Sequence, residues 1–484
     1  MKKSLLKKPM KWINVGLASA ALLVATSQSM TEVEALNWLF PDNSIPEEQQ
    51  LTDEDIDMIR EVYNTIQINY IEDLEKNDLL EGALKGMVNA IGDPYSEYLN
   101  KQESTSFDDS IVGSFQGIGV QFMSQNGNIT VISPIDGTPA AEAGIQPNDI
   151  ILEADGQELT NMDTNQVVEL IRGPEGTEVQ LKIQRGSSTF DITLVRAEIP
   201  IISVTGEIDE ANTNIGNIRI SQFSANTYDE LVEIITNLRN EGVERFVFDL
   251  RANPGGLLNQ ALALSNMFVE NGDVIMQVEE SNREPDIFVG DDQAYGDFKV
   301  TEPYVVLIDN GSASASEILA AAINENTDRL LIGTTTFGKG TVQNITNESD
   351  IGELKLTIAK WLTPNGTWIH DTGVSPDVTV EAEALATALL LNTNEELVSG
   401  QSSEFVQSLS LILNTLGYEV DSQNYFDDRM EEVVKQFQTD NGLEADGIVT
   451  GDTAQALNDQ ARAYLEENDV QYDKAVELLL EEDA

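Results

Sequence analysis

Cysteine is absent from all 484 residues, and histidine occurs once, at position 370. The first absence excludes a cysteine protease and any disulfide framework. The second excludes a zinc protease built on paired histidines and leaves His370 as the only imidazole a Ser/His/Asp triad could use. His370 lies in the turn-rich stretch TPNGTWIHDTG that ends at Gly373, a context that predicts a loop residue rather than a base. Basic residues are also scarce: 27 Lys and Arg stand against 84 Asp and Glu, for a net charge of -57. Nucleic acid and anionic membrane surfaces are therefore excluded as partners. The acids are spread along the whole chain and 41% of residues are hydrophobic, so the charge does not signal disorder. This spread predicts a halophilic or alkaline-tolerant protein whose self-repulsion is screened within about 3 Å at molar salt.

Apolar runs of membrane-spanning length are missing too. Trp12 to Thr26 is short of the roughly 20 residues a span needs. Lys2, Lys3, Lys7, Lys8 and Lys11 surround its start and no acid precedes Glu32, the layout of a signal peptide or short membrane anchor over residues 1–30. Ala25-Thr26-Ser27 and Ser27-Gln28-Ser29 are the candidate cleavage sites. The rest of the chain is expected outside the cytoplasm, anchored to the membrane or secreted.

Against these absences stands a strand-turn-helix at residues 304–324, YVVLIDNGSASASEILAAAIN. The apolar run from Tyr304 to Ile308 predicts a fully buried strand, Asn310-Gly311 a turn, and Ile318 onward an alanine-rich helix with Glu317 in its first turn. Ser312, Ser314 and Ser316 then crowd a helix N-terminus. Unsatisfied amides and the helix dipole at that end favour a developing oxyanion, so a serine there suits a nucleophile; it equally suits an N-cap. A serine nucleophile needs a base. The segment TTTFGKGTVQ, residues 334–343, sets Lys339 between two glycines with Gln343 following. A lysine accepts a proton only when its neutral form is populated, which requires desolvation, and Gln343 offers the amine a hydrogen bond without adding charge.

SASASE followed by FGKG and then Gln343 resembles the carboxy-terminal processing proteases of peptidase family S41. The resemblance implies Ser314 as nucleophile, Lys339 as general base and Gln343 as its orienter. RFVFDLRANPGG, residues 245–256, matches the family's strand and glycine turn, implying an oxyanion hole from the amides of Ala315 and of Gly255 or Gly256. DPYSEYL, residues 93–99, follows a helical pattern from Asp53 to Ile91 and is similar to the family's N-terminal segment. No metal, nucleotide or other cofactor is implied.

Residues 114–196 resemble a PDZ domain. Phe115, Gln116, Gly117, Ile118 and Gly119 form the glycine loop expected to capture a peptide's terminal carboxylate, ahead of strands at Val120 to Met123 and Ile129 to Ile132. PAAEAGI from Pro139 predicts a short helix with a glycine stop, and DIIL before Asp155-Gly156 a strand and hairpin turn. An open sheet edge beside such a loop accepts a peptide as an added strand. Arg172 matches a position that links peptide occupancy to catalytic alignment in some members of the family.

Alternating strands and helices from Ile215 to Ile308 predict an α/β core. Beyond it, LGY at 416–418, YF at 425–426, VKQFQ at 434–438 and GLEADG at 442–447 with Thr453 resemble a three-helix peptidoglycan-binding module; Asn424 stands just before YF, where a glycine is usual. The expected organisation is multidomain: an N-terminal helical region at 45–100, a PDZ domain at 101–197, the protease core at 198–380, a spacer at 381–402, the wall-binding module at 403–460 and an acidic helical tail at 461–484. The function this implies is an exported serine endopeptidase with a Ser-Lys dyad whose PDZ domain binds unstructured, apolar protein C-termini. Peptidoglycan, a second copy of the chain and a regulatory protein are the expected further partners. A non-catalytic envelope scaffold is the alternative. A wall-remodelling hydrolase lacks a paired-carboxylate or metal site.

Overall fold

A computed structural model describes residues 46–481, apart from 126, 282 and 349–351. The leader expected over residues 1–30 lies outside the described residues. Among the described residues no helix is long and apolar enough to cross a membrane. The chain divides into two units, one of residues 1–108, 278–286 and 341–361, the other of residues 109–277, 287–340 and 362–484.

The larger unit is built on a six-stranded sheet in the order Val204–Ile208, Ile215–Ile220, Arg245–Asp249, Tyr304–Ile308, Leu331–Gly333, Val378–Thr379. The first pair is antiparallel and the others are parallel. Parallel strands require crossovers, and the amphipathic helix Thr227–Asn240 supplies the one between the second and third strands. Because strand side chains alternate, Phe246, Phe248 and Tyr304 point to one face, where Phe248 and Tyr304 meet Phe268 edge-on at 5.0 and 5.1 Å. Val247, Val305 and Leu307 point to the other.

That second face is covered by the end of the chain. The tail forms the helix Val470–Glu481, whose Ala475 and Leu479 are fully buried against Ile215, Val247, Val305, Leu307 and Ile332. Burying a leucine there is worth roughly 2–3 kcal/mol. The acidic tail is thus a packing element of the protease sheet.

The PDZ fold belongs to the same unit. Its sheet runs Val120–Gln125, Asn128–Pro134, Ile150–Ala154, Glu178–Arg185, Ser188–Val195, with the helix Thr164–Ile171 packed on a core that includes Ile118, Val167 and Leu181. Val120–Gln125 is an edge strand. Asp155 at φ 49° and Gly156 at φ 79° form the two-residue hairpin turn that Asp-Gly favours.

The helices Glu404–Thr415, Asp428–Asp440 and Gly451–Glu467 enclose a separate core around Leu409, Phe426, Val434, Phe437 and Leu457. Ser403 and Asp427 cap the first two by accepting from Val406 and Met430 amides. Gly417 at φ 86° and Gly442 at φ 70° end them. The stretch expected as a spacer contributes Leu385, Leu391 and Leu397 to this core. It is therefore packed structure.

In the smaller unit, the helical pattern from Asp53 to Ile91 resolves into Asp53–Asn69 and Lys76–Asn89. Thr52 and Asp55 form a capping box at the first N-terminus. The strand Glu97–Leu99 pairs with Gly352–Leu362, which forms a hairpin with Thr341–Glu348.

Candidate active site

Three serines follow the strand Tyr304–Ile308, and two of them bond the neighbouring strand end through their hydroxyls. Ser312, fully buried, donates its hydroxyl to the Leu250 carbonyl at 2.8 Å. Ser316, also fully buried, donates to the Asn253 carbonyl at 2.9 Å. Both tie the serine turn to the end of the neighbouring strand Arg245–Asp249. Ser314 between them is half-buried and stands at the N-terminus of the helix Ala315–Asn326 with φ 55° and ψ -110°. A non-glycine residue held there costs about 1–3 kcal/mol, so the surroundings must enforce it.

Glu317 does much of that enforcing. It is fully buried, and its two oxygens accept four hydrogen bonds. Oε2 accepts from the Ser314 amide at 2.8 Å and from the Lys339 amide at 2.8 Å. Oε1 accepts from Thr336 Oγ1 at 2.6 Å and from the Gly338 amide at 2.7 Å. A buried carboxylate is tolerated only when its lone pairs are filled in this way. One oxygen thus joins the backbone of Ser314 to that of Lys339, and their nitrogens lie no further apart than twice that 2.8 Å. In sequence Glu317 reads as a first-turn acid of the helix. The S-x-x-E spacing from Ser314 is a capping-box signal, but its reach to the lysine loop is visible only in three dimensions.

The lysine loop is clamped from the other side by residues 368–373. Trp368 Nε1 donates to the Gly340 carbonyl at 2.8 Å, the Gly340 amide approaches His370 Nδ1 at 3.4 Å, and the Asp371 amide donates to the Gly338 carbonyl at 2.9 Å. His370 stacks on Trp368 with ring centroids 5.0 Å apart. The single histidine therefore supports the loop. The glycines beside Lys339 are required by this packing: a Cβ on Gly338 would sit 2.9 Å from the Thr372 nitrogen, and one on Gly340 2.8 Å from the His370 nitrogen.

The glycine turn after Asp249 packs directly against the serine. A Cβ on Gly255 would lie 2.6 Å from the Ala313 carbonyl, 2.8 Å from the Ala315 nitrogen and 2.9 Å from Ser314 Cβ, and its φ is 96°. Gly255 donates its amide to Asn253 Oδ1 at 2.9 Å, while Asn253 Nδ2 holds the Ile220 carbonyl at 2.7 Å. On Gly256, at φ 149°, a Cβ would strike the Phe223 carbonyl at 2.2 Å. The Ala315 amide, in the first turn of its helix, has no intrahelical acceptor. Ser314, Ala315, Gly255, Gly256 and Lys339 thus belong to one set of touching loops. Gln343 lies in the smaller unit, on the strand Thr341–Glu348, where its amide donates to Thr341 Oγ1 at 2.9 Å and Thr357 Oγ1 at 3.2 Å.

In the PDZ fold the residues expected as a glycine loop begin as a strand: Phe115, Gln116 and Gly117 lie on Ser114–Gly117, whose backbone is paired with Ala197–Pro200. Ile118 is buried in the domain core, and Gly119, at φ 73°, leaves no room for a side chain against Thr138. Arg172 pairs with Asp109 and lays its guanidinium 4.6 Å from the centre of the Phe115 ring. Burial raises the Asp109 carboxyl above its ordinary range despite that arginine.

Four stretches of the chain match known protein families. Residues 214–380 match the model of peptidase family S41, residues 130–185 a PDZ domain, residues 17–103 the N-terminal domain of the activating protease CtpB, and residues 402–457 a peptidoglycan-binding domain. The chain is 40% identical over 431 residues to the carboxy-terminal processing protease CtpA of Bacillus subtilis (strain 168), covering 89% of this chain and 91% of that one. The chain belongs to this family. It is a carboxy-terminal processing serine protease with a PDZ domain. Identity to carboxy-terminal processing protease CtpB of the same organism is 36% over 436 residues, 88% of this chain and 89% of the relative. A CtpA-like serine protease of Staphylococcus aureus (strain N315) is 32% identical over 463 residues, 95% and 91% of the two chains. The wall-binding module and these relatives suggest an envelope-associated location for this carboxy-terminal processing protease.

Proposed function

We propose that the protein hydrolyses peptide bonds through a Ser-Lys dyad of Ser314 and Lys339, acting on unstructured, apolar protein C-termini gripped by its PDZ domain. The observation that carries this is the shared Glu317 oxygen, which pins the backbone of Ser314 and of Lys339 to one buried carboxylate. Two further facts support it. Ser312 and Ser316 are committed to the fold while Ser314 is not buried. The single histidine is occupied in holding the Lys339 loop.

In this mechanism neutral Lys339 accepts the Ser314 hydroxyl proton as Oγ attacks the peptide carbonyl carbon. The tetrahedral oxyanion is met by the Ala315 amide, and by Gly256 as second donor, because Gly255 spends its amide on Asn253. The C–N bond breaks as Lys339 returns the proton to the leaving amine. Water, deprotonated by Lys339, then attacks the acyl ester and frees the new C-terminus with the serine restored.

The substrate's C-terminal carboxylate binds at the segment 115–119, where the strand Ser114–Gly117 gives way to Val120–Gln125, and its chain adds to that edge strand. Arg172 is the coupling residue between peptide occupancy and the site, released from Asp109 as it acts. The protein is exported by its leader and held near the wall by the three-helix module, as the peptidoglycan-binding match supports.

The test compares the parent with Ser314→Ala on an unfolded protein ending in an apolar C-terminus. The parent is expected to cleave, and the variant to bind without cleaving. Cleavage by the variant would overturn the nucleophile. Binding without cleavage by both would favour the scaffold reading.

A further inference from the structure

The glycine turn that faces Ser314 is not self-supporting. Ala252, Gly255 and Gly256 have φ values of 54°, 96° and 149°, three residues out of five in a region that L side chains avoid. Something must hold the turn, and part of that support comes from the far end of the chain.

Arg251, at the start of the turn, is largely buried and uses every N–H of its guanidinium. Nε donates to Asp249 Oδ1 at 2.9 Å and Nη2 to Asp249 Oδ2 at 2.7 Å. On the other side, Nη2 donates to Asp469 Oδ2 at 2.6 Å and Nη1 to Asp469 Oδ1 at 2.8 Å, and Nη1 also reaches Gln471 Oε1 at 3.0 Å. A guanidinium held bidentately by two carboxylates has little freedom left. Asp249 ends the central strand, so this fork fixes the point at which the turn departs from the sheet.

Asp469 is itself anchored. It sits between the last helix of the wall-binding module, Gly451–Glu467, and the sheet-covering helix Val470–Glu481. Its Oδ1 accepts the Tyr472 amide at 3.0 Å. Gln471 Nε2 donates to the Val380 carbonyl at 2.7 Å, and the Tyr472 hydroxyl bonds Asp209 at 3.1 Å. Burial opposes charge on Asp469, but the Arg251 guanidinium and the neighbouring amides outweigh it and hold the carboxyl below its ordinary range.

We propose that Asp469 is a positioning residue for catalysis: through Arg251 it sets the Gly255–Gly256 turn against Ser314, which makes the C-terminal helix a working part of the protease. This rests on the reading of Ser314 as nucleophile and of the glycine turn as oxyanion donor. The helix could have been a mere cover for an apolar face. The fork adds a polar link from that cover to the turn beside the nucleophile. An error of an ångström in an oxyanion donor costs about 100-fold in rate.

The experiment uses the full chain with Asp469→Asn, Asp469→Glu and Gln471→Ala, alongside Ser314→Ala. Steady-state cleavage of an unfolded protein with an apolar C-terminus gives kcat and KM. Inhibition by a peptide boronic acid, whose tetrahedral adduct places an oxygen in the oxyanion hole, reports the turn directly. Asp469→Asn is expected to lower kcat and boronate affinity together by about ten-fold or more, with KM within about two-fold of the parent. Asp469→Glu should recover part of both, and Gln471→Ala should lose less than Asp469→Asn. Parent-like kcat and boronate affinity in Asp469→Asn, with Ser314→Ala inactive, would overturn this proposal alone. A fall in kcat with unchanged boronate affinity, or an equal loss in all three tail variants that tracks their thermal unfolding, would also overturn it, since the helix would then be only structural. Cleavage by Ser314→Ala would instead remove the nucleophile reading on which the proposal stands.

Discussion

Glu317 carries more of the site than its side chain advertises. It touches no substrate in the mechanism above, yet it holds the nucleophile's amide and the base's amide on one oxygen. Replacing it with glutamine turns one acceptor into an NH2 group facing N–H and O–H donors, a reversal that burial prevents water from repairing. Glu317→Gln should lose about 3 kcal/mol of stability in urea unfolding and at least about 100-fold in kcat. Near-parental values in both would show that the four hydrogen bonds are redundant. The serines teach a related lesson. Three serines in alternate positions look alike in sequence, and only burial and hydrogen bonding separate the two that knit strand ends together from the one that does not.

Among the elements, the strand Tyr304–Ile308 is legible to the residue, because five consecutive apolar side chains bounded by Pro303 and Asp309 have no other stable place than the middle of a sheet. The strands and helices from Ile215 to Asn266 are legible to within a few residues for the same reason. The helix Val470–Glu481 is legible as amphipathic but not as to its partner. Periodicity says that a face is buried, and nothing in the local pattern says that Ala475 and Leu479 lie against Ile215, Val247, Val305, Leu307 and Ile332, all far earlier in the chain. The site divides likewise: Ser314, Lys339 and the glycine turn stand out as motifs, while Asn253, Glu317 and Arg251 act through contacts between segments. Leu479→Ala should cost about 3 kcal/mol, read from the unfolding midpoint in urea, since a buried leucine over a flat sheet leaves a cavity that the strands cannot close. The clasp at Asp469 adds a pH signature. Its carboxyl is depressed in the folded state from 3.8, so its stabilisation is present above the unfolded value and is lost as pH falls through the lower, folded one. The thermal-stability gap between the parent and Asp469→Asn should therefore be full near neutrality and close only in acid below 3.8. A gap that instead widens in acid would contradict the ion pair.

For the molecule as a whole, the excess of 84 acids over 27 bases acts everywhere at once. Several of the basic residues are already spent on specific pairs: Arg185 with Asp149, Arg239 with Glu302, and Arg251 with Asp249 and Asp469. The remaining acids repel one another across the surface, and salt relieves that repulsion more than it weakens the half-buried pairs. The unfolding temperature should rise steeply from dilute to molar sodium chloride, as scanning calorimetry would record; an unchanged or falling temperature would reject it.

The position of the sheet-covering helix also orders events in time. Ribosomes make residues 470–481 after every strand of the catalytic sheet, so a growing chain carries serine, lysine and glycine turn while one face of that sheet is still bare. The fork on Arg251 likewise has only its Asp249 half until Asp469 arrives. A nascent protease of this design is therefore incomplete until Asp469 and the helix that follows it have been made, and a chain interrupted anywhere before residue 469 is released without the clasp on its active-site turn.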